Sequence, residues 1–515
     1  MPEHIRALVV VLVLSIAVLL WLRPRMTAAA MTSSDYRVRA GIWIALTLAL
    51  FLAHNYWLFV LLVVLALITF GRNDSHPLGL YFFLLILSPP FHTMIPGFGG
   101  IAYFLKLDYF RLLSVLLLLP CALRAGRDSA SPGLFKLPAD KYVMAYLVLL
   151  IALQAPVTTT TDILRSILSQ FLDVVLPYYA FSRALNSIEK FRDALAAFVA
   201  GCSVLAMIAI FESGKHWLLY SSLGAVLDVE YGFGGYMERS GSLRAAASAG
   251  HSIILGYVLS VALGLHFALR HAIVQKKSWL AIVGLLGAGV VMSFSRGPWI
   301  GAAAMLLAMV LLSPNAGGKL VRIAGLAILV VPLLMLTPVG DKLINVLPFI
   351  GNVDSDSVDY RRELFTVSWN VLMMNPLFGS PHYMANAAME QMRQGEGIID
   401  MVNSYMGVAM YSGLVGVTLF AGAFVSNLLG LFGHLRRLED KSSEEFAIGR
   451  ALLATLFGVM VSIATLSSID AVPVVYWCLV GICSAYLYRA KAAAMEVAMR
   501  PVVDSSRALH SARST

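Results

Sequence analysis

One long polar stretch interrupts an otherwise apolar sequence between Asp341 and Tyr405. It reads DKLINVLPFIGNVDSDSVDYRRELFTVSWNVLMMNPLFGSPHYMANAAMEQMRQGEGIIDMVNSY. Eight acidic and four basic residues give this stretch a formal charge of −4, whereas the whole chain carries +9. Long loops in a compact framework often carry function rather than serve as plain connectors. We therefore expect the chemistry of the protein here, with a solvated connector as the alternative.

The composition on either side of this stretch indicates a membrane protein. Hydrophobic residues make up 59% of the chain and charged residues 13%, and the mean hydropathy is +0.79. Soluble domains have about 25% charged residues. Continuous apolar runs of bilayer-spanning length predict helices and exclude a β-barrel, whose strands alternate. The expected fold is all-α: a polytopic transmembrane helical bundle of about 12–15 spans with a large, partly helical periplasmic loop.

Hydropathy predicts about fifteen spans, and the dipeptide His54-Asn55 separates the second from the third. Without that break, residues 41–70 would form one long tilted helix. The predicted spans are residues 5–22, 40–54, 55–71, 78–90, 105–124, 140–155, 165–184, 190–212, 251–270, 278–294, 297–313, 320–337, 405–433, 447–467 and 470–488. They divide the chain into N-terminal helices (1–212), a first long loop (213–250), central helices (251–337), the large loop (338–404), C-terminal helices (405–490) and a tail (491–515) that we expect to be disordered after Arg500.

Basic residues in the short connections predict the orientation, because such residues favour the cytoplasmic side. They fall in every second connection, so the loops 213–250 and 338–404 are expected on the periplasmic face of a bacterial inner membrane. The positive balance is therefore topological and indicates no nucleic-acid partner. The basic residues concerned are Arg23, Arg25, Arg37, Arg39, Arg124, Arg127, Lys136, Arg183, Lys190, Arg192, Arg270, Lys276, Lys277, Lys319, Arg322, Arg436, Arg437, Arg489 and Lys491.

The sequence contains no motif for a cofactor or a metal. It has no Walker loop, dinucleotide fingerprint or HExxH motif, so we expect neither a cofactor nor a metal site. The four cysteines all lie in apolar spans without metal-ligand spacing, and we interpret them as core residues. They are Cys121, Cys202, Cys478 and Cys483.

Ionisable residues within spans are costly and are therefore functional candidates. Asp108 and Arg111 are one helical turn apart and are expected to neutralise one another. Asp173 lies in the middle of its span. Arg296 stands in the motif Ser293-Phe-Ser-Arg-Gly-Pro-Trp299, where Gly297-Pro298 is predicted to break the helix at the outer side. Such an arginine requires an anion, either an acidic side chain or a ligand phosphate.

Further arginines belong to the same predicted face. They are Arg244, Arg361 and Arg362, and basic groups gathered at an outer membrane surface suit a lipid-linked diphosphate. His251 and His382, with nearby acids, suit a general base that activates an acceptor hydroxyl. The aromatic and glycine-rich segment Tyr231–Tyr236, followed by Glu238 and Arg239, suits either sugar stacking or an interfacial belt.

Four patches in this order resemble the O-antigen ligase and polymerase family, the Wzy-type membrane glycosyltransferases. The first two are Arg244-Ala-Ala-Ala-Ser-Ala-Gly-His251 and the motif around Arg296. The third is Arg361-Arg-Glu-Leu-Phe365 followed by Asn375-Pro-Leu-Phe-Gly379, and the fourth is Val402-Asn403 followed by Gly413-Leu-Val-Gly416. They cover roughly residues 240–420, whereas the N-terminal half is similar only in hydropathy.

The resemblance implies a metal-independent glycosyltransferase that moves a glycan from undecaprenyl diphosphate to an acceptor sugar at the periplasmic membrane surface. By this resemblance, Arg244, Arg296 and Arg361 contact the diphosphate. Our own mechanistic hypothesis is that Glu363, His382 or Asp400 accepts the acceptor proton. Predicted substrate contacts are Arg239, His251, Trp299, Arg362, Asn403 and Tyr405. Expected partners are a lipid-linked oligosaccharide donor and acceptor, the bilayer and other polysaccharide-assembly proteins.

The sequence departs from the family pattern at two places. Val402 stands where ligases have a histidine, and Gly379-Ser-Pro381 replaces Gly-x-Gly. The missing base favours a polysaccharide polymerase, acting in O-antigen or exopolysaccharide synthesis, over an O-antigen ligase that transfers to lipid A core or protein. A lipid-linked glycan transporter would spread polar groups through its spans, and a non-catalytic scaffold is the remaining alternative.

Overall fold

Helices make up most of the protein in the computed structural model. The structure describes residues 1–99, 101–128, 131–229, 238–239, 241–335, 355–393, 399 and 401–499. The predicted all-α polytopic fold is confirmed. The tail after Arg500 lies outside the described residues.

The N-terminal part contains ten helices within the described chain. They are α1 (Glu3–Ala29), α2 (Ser33–Leu52), α3 (Tyr56–Thr69), α4 (Pro77–Leu84), α5 (Tyr109–Leu113), α6 (Leu119–Arg127), α7 (Pro138–Gln154), α8 (Thr160–Gln170), α9 (Leu176–Ala184) and α10 (Ile188–Lys215). Short π-helical segments, Ser114–Leu118 and Phe171–Val175, join α5 to α6 and α8 to α9.

The described C-terminal part contains ten more. They are α11 (Leu223–Val226), α12 (Ser252–Ala268), α13 (Lys276–Met292), α14 (Arg296–Leu311), α15 (Ala316–Met335), α16 (Ser355–Met374), α17 (Ala387–Glu390), α18 (Ser404–Arg437), α19 (Glu444–Ile463) and α20 (Ala471–Met499). Single 3-10 turns occupy Gly71–Asn73, Ala247–Ala249 and Tyr383–Ala385.

Seven helices of the described chain are long and apolar enough to cross a membrane, and two apolar helices, Ser252–Ala268 and Arg296–Leu311, are shorter. Every predicted span overlaps a helix, including the second and third, which separate at His54-Asn55. The fourth, predicted over 78–90, ends early at Leu84. Pro89 and Pro90 follow it, and proline cannot continue a helix.

Two short antiparallel hairpins interrupt the helices. β1 (His92–Pro96) pairs with β2 (Tyr103–Asp108), and β3 (Glu238–Arg239) pairs with β4 (Ser242–Leu243). The fifth span was predicted from residue 105, but the chain is a strand up to Asp108. Asp108 then caps α5 by accepting a hydrogen bond from the backbone N–H of Arg111 at 2.8 Å.

The centre of the bundle is formed by α10, in which 19 of 28 residues are buried, and α12, in which 15 of 17 are buried. α10 packs against α1, α4, α12 and α13, and α12 also packs against α14 and α19. The apolar window of α10 is 83% buried, whereas those of α1 and α18 are 39% and 33% buried. α1 and α18 are therefore peripheral helices whose remaining apolar surface is available to lipid.

Buried ion pairs, here called clamps, join the helices at the end of the bundle where α10 begins. We call this end the inner face. Arg39 is fully buried and pairs with Asp74 at 2.6 Å and with Asp193 at 2.9 Å. Arg183 pairs with Asp140 at 2.7 Å. Removing one partner of such buried pairs is strongly destabilising, so these clamps fix the ends of the helices. The opposite end of the bundle, where α10 ends, is called the outer face.

Candidate functional site

The connection between α13 and α14 forms the first part of the candidate site. Phe294 has a left-handed φ of 45°. Ser293 Oγ donates to the carbonyl of Val290 at 2.7 Å, and Trp299 Nε1 donates to the same carbonyl at 2.8 Å. Both bonds go to one carbonyl near the end of α13, where a helix leaves acceptors open, and they hold the turn in place.

The position of this break differs from the prediction. The chain turns at Ser293–Ser295, and Gly297-Pro298 lie in the first turn of α14, which begins at Arg296. Proline is tolerated in a first turn because its missing N–H would have no partner there. Gly297 is required for packing, since a Cβ on it would lie 2.5 Å from Thr465 Oγ1.

Arg244 from the first long loop reaches the same turn. Its Nη2 donates to Ser295 Oγ at 3.1 Å, and the backbone N–H of Ala245 donates to the carbonyl of Met292 at 3.2 Å. The structure thus places Arg244 beside the residue that precedes Arg296. Both arginine side chains are half-buried, so they border the outer surface without being fully solvated.

A buried glutamate fixes the backbone beyond Arg244. Glu212, near the end of α10, accepts hydrogen bonds from the N–H groups of Ala246 at 3.0 Å, Ala247 at 2.8 Å and Leu219 at 2.9 Å. Three such bonds satisfy the carboxylate inside the protein. Glu212 is not among the residues predicted from the sequence, although an acid at the end of a long apolar run is a usable signal.

The third predicted arginine lies on a different element. Arg361, Arg362 and Glu363 are exposed on α16, which packs against α17 and α18. His382 is also exposed, in the turn after α16. The structure therefore joins Arg244 and Arg296 at one turn, and it places Arg361 on a helix that packs against the beginning of α18.

The third and fourth motif patches meet inside α18. This helix is interrupted at Gly413, whose φ is 66°, and the segment Asn375–Ser380 fills the gap. The carbonyls of Pro376 and Leu377 accept from Leu414 N at 2.8 Å and Val415 N at 3.2 Å, while Ser380 N donates to the carbonyl of Met410 at 2.8 Å. The broken helix thereby keeps its backbone groups satisfied, as a spanning helix must.

Several predicted substrate contacts have structural partners. Asn403 caps α18 by accepting from Tyr405 N at 3.0 Å and Met406 N at 3.1 Å. The Tyr405 hydroxyl donates to the carbonyl of Met460 at 3.1 Å. His251 Nδ1 accepts from Ile253 N at 3.1 Å and caps α12. Their contact with substrate stays a prediction.

Some predicted residues lie outside the described structure. These are Asp400, the segment Tyr231–Tyr236 and most of the acidic part of the large loop. Arg239 is described as part of β3 only through its backbone.

An acidic cluster that the sequence did not reveal lies near β2. Arg111 lies 3.6 Å from Asp108, its expected partner, but its guanidinium is closer to Asp173, at 2.7 Å. Asp173 is therefore the main partner of Arg111. Asp173 lies in the π-helical segment before Pro177, where the irregular backbone accommodates proline. Helical spacing alone could not predict a partner from another helix.

Asp470 immediately precedes α20 and interacts electrostatically with Asp108 of this cluster. Burial raises its pKa to about 6, with a further increase from Asp108 and an opposing effect from Lys106. Burial likewise raises the pKa of Asp108 to about 6, although Arg111 opposes this. The Asp470 Oδ2 atom is buried without a hydrogen-bond partner among the described residues, so its ionised form is poorly solvated.

Clustering of potential metal ligands was not found in the described part of the chain: no group of three or more His, Cys, Asp or Glu side chains could hold a metal ion. The candidate site is built on Arg244 and Arg296, beside the hydroxyl groups of Ser293 and Ser295 between α13 and α14 and near the Glu212 carboxylate of α10.

Comparison with known proteins gives a family for the centre of the chain. The model of a family described as O-Antigen ligase, Wzy_C, matches residues 281–421. No curated protein matches the chain. The matched segment contains Arg296, α16 and the first part of α18 with its interruption at Gly413, and these carry three of the four sequence patches. Residues 281–421 therefore match the O-antigen ligase family model, which is consistent with the resemblance that the motifs predicted.

Proposed function

We propose that this protein is a membrane glycosyltransferase that moves a glycan from undecaprenyl diphosphate to an acceptor at the periplasmic face of the bacterial inner membrane. The contact between Arg244 and Ser295, beside Arg296, is the observation that supports it most. Two arginines from different segments of the chain lie at one turn at the outer face. Guanidinium groups bind phosphate oxygens in fork geometry.

In this reaction the bond between the sugar anomeric carbon and the diphosphate breaks, and the acceptor hydroxyl oxygen forms the new bond. Arg244 and Arg296 stabilise the negative charge that develops on the departing diphosphate. Arg361 would join them from α16. The acceptor proton passes to a base, for which Glu363 and His382 are accessible candidates on the exposed outer segment. We propose that no metal takes part, and activity should persist in EDTA.

The finer assignment is a polymerase, which uses a second lipid-linked repeat unit as the acceptor. Val402 in place of the ligase histidine supports it. Ligation to lipid A core or to a protein is the second candidate, because the matching family is described as O-Antigen ligase. Other polysaccharide-assembly proteins are proposed partners in either case.

Incubating the purified protein in lipid with an undecaprenyl-diphosphate oligosaccharide tests both candidates. Products of increasing length identify a polymerase, and transfer only to added lipid A core or protein identifies a ligase. Absence of any transfer, with intact protein, would refute the enzyme assignment. Arg296→Ala should lower the rate by ~100-fold, as loss of a group that stabilises transition-state charge does. Arg322→Ala, an exposed arginine on α15, is the matched control and should keep the rate.

A further inference from the structure

A row of exposed apolar side chains follows one side of α16, in the loop that the sequence predicts as polar and periplasmic. Phe365, Trp369 and Met373 recur at every fourth residue and are 53%, 47% and 45% exposed. Leu377 and Phe378 continue the row beyond the helix at 59% and 50%. Contiguous exposed apolar surface of this kind marks an interaction site.

The remaining surface of α16 separates into two other sectors. Leu364, Val371 and Leu372 are buried and belong to one hydrophobic cluster with methionines of α17 and the start of α18. Thr366 and Asn370 are exposed and polar, on the side away from that cluster. The helix thus has a protein-facing sector, an exposed polar sector and an exposed apolar sector.

The end of α16 is fixed at a definite depth along α18. The carbonyls of Pro376 and Leu377 are bonded to Leu414 and Val415, at the interruption nine residues after Ser404, where α18 begins. At 1.5 Å per residue this is about 14 Å along α18. Because α18 is long and apolar enough to span a membrane, the turn after α16 lies near the middle of a hydrocarbon layer about 30 Å thick.

The residues along α16 become less polar towards the end of the helix that lies deepest in the membrane. Arg361 and Arg362 come first, the stacked pair Phe365–Trp369 follows with ring centroids 6.4 Å apart, and Met373 and Met374 come last. From Arg361 to Met374 the helix rises about 20 Å, which is close to half of a bilayer with its headgroups. Arginine at the phosphates and aromatic rings below them is the order found at membrane interfaces.

We propose that α16 and the turn after it are embedded in the outer leaflet, with the row from Phe365 to Phe378 against the acyl chains. The partner is the lipid surface itself, and the polar sector with Thr366 and Asn370 faces water. Arg361 and Arg362 lie at the level of the lipid phosphates. This inference does not depend on the proposed transferase activity.

Spin labels at paired positions test this placement in the full chain reconstituted into phospholipid vesicles. Met373→Cys and Asn370→Cys lie within one helical turn but in different sectors, and the parent chain gives the signal of the native cysteines. We expect a ratio of oxygen to nickel-chelate accessibility about tenfold higher at Met373 than at Asn370, because the hydrocarbon layer excludes the polar chelate. Phe365→Cys, nearer the headgroups, should give a lower ratio than Met373→Cys, and Phe378→Cys, deeper in the layer, should give a higher one.

Quenching by brominated lipid is the second measurement and leaves the helix intact. The tryptophan signal lost between wild type and Trp369→Phe should be quenched by bromine placed near the glycerol end of the acyl chain. Equal, chelate-accessible labels at positions 373 and 370, or an unquenched Trp369 signal, would overturn the proposal and place α16 in water.

Discussion

At the scale of single residues, the candidate site depends on a carboxylate that need not touch the substrate. Glu212 holds the backbone of Ala246 and Ala247, just beyond Arg244. The sequence predicted Arg244 and Arg296 as a pair from their motifs, but it could not predict this support. Glu212 and Ala246 are distant in sequence, and their contact forms only when α10 and the first long loop pack together.

Glu212→Gln should weaken both stability and transfer. A glutamine offers one acceptor oxygen, so its amide N–H₂ group faces either Leu219 N–H or the Ala246–Ala247 pair, at a cost of about 1–3 kcal/mol. Thermal unfolding and product formation are the measurements. Glu3→Gln, which changes an exposed glutamate bonded to Trp217, should alter neither, and an unchanged Glu212→Gln enzyme would contradict the positioning role.

Asp470→Asn should stabilise the protein at neutral pH. The pKa of Asp470 is raised to about 6 in the fold, so the folded state binds the proton more tightly than the unfolded state does. Its contribution to stability is therefore full below about pH 4, the range of an unperturbed aspartate, and is lost as pH rises through about 6. Asparagine removes this loss, which amounts to about 1–3 kcal/mol at pH 7.5.

Unfolding midpoints of wild type and Asp470→Asn, measured from pH 4.5 to 8, provide the check. The two curves should converge at about pH 4–5 and separate with increasing pH. Asp440→Asn is the control, because the exposed Asp440 carboxylate accepts hydrogen bonds from Ser442 that hold its pKa below the usual range. If the difference between the two unfolding midpoints became smaller with rising pH, Asp470 would be stabilised as a carboxylate and the prediction would be wrong.

At the scale of elements, hydropathy predicted the helices but not their interruptions. The sequence placed one span over 405–433, and the structure divides that helix at Gly413. A glycine in an apolar run has no local feature that indicates a break, because the break is stabilised by a segment from elsewhere. Residues 375–380 supply those backbone hydrogen bonds. The third and fourth motif patches therefore form one structural unit.

Gly413→Ala should destabilise this unit severely. A Cβ there would lie 2.1 Å from the carbonyl oxygen of Leu377, at a φ of 66°, so both the contact and the backbone conformation oppose it. We expect a loss of about 3 kcal/mol or more. Gly407→Ala in the same helix has open space around its Cβ and should be neutral or stabilising by up to about 1 kcal/mol. Equal unfolding midpoints for the two variants would contradict the insertion of residues 375–380.

At the scale of the whole molecule, the two ends of the bundle have different tasks. The inner face is held by saturated ion pairs such as Arg39 with Asp74 and Asp193. The outer face has half-buried arginines and carboxyl groups with raised pKa values. α10 connects the two ends, and its 28 residues span about 42 Å. The stabilising ion pairs and the candidate site thus lie at opposite ends of the bundle, about one membrane thickness apart. The composition predicted a membrane-spanning bundle, whereas no single motif could have predicted this separation.

This separation gives a test of orientation. Met94, 55% exposed on β1, belongs to the outer face, and Lys441 is exposed between α18 and α19 at the inner face. If basic connections are cytoplasmic, a membrane-impermeant maleimide should label Met94→Cys in cells whose inner membrane is intact. Lys441→Cys should be labelled only after that membrane is opened, with the parent chain as the background for native cysteines. The reverse pattern would place Arg244 and Arg296 in the cytoplasm, where a glycan donor would have to be presented from the other leaflet, and would thereby refute the periplasmic transferase.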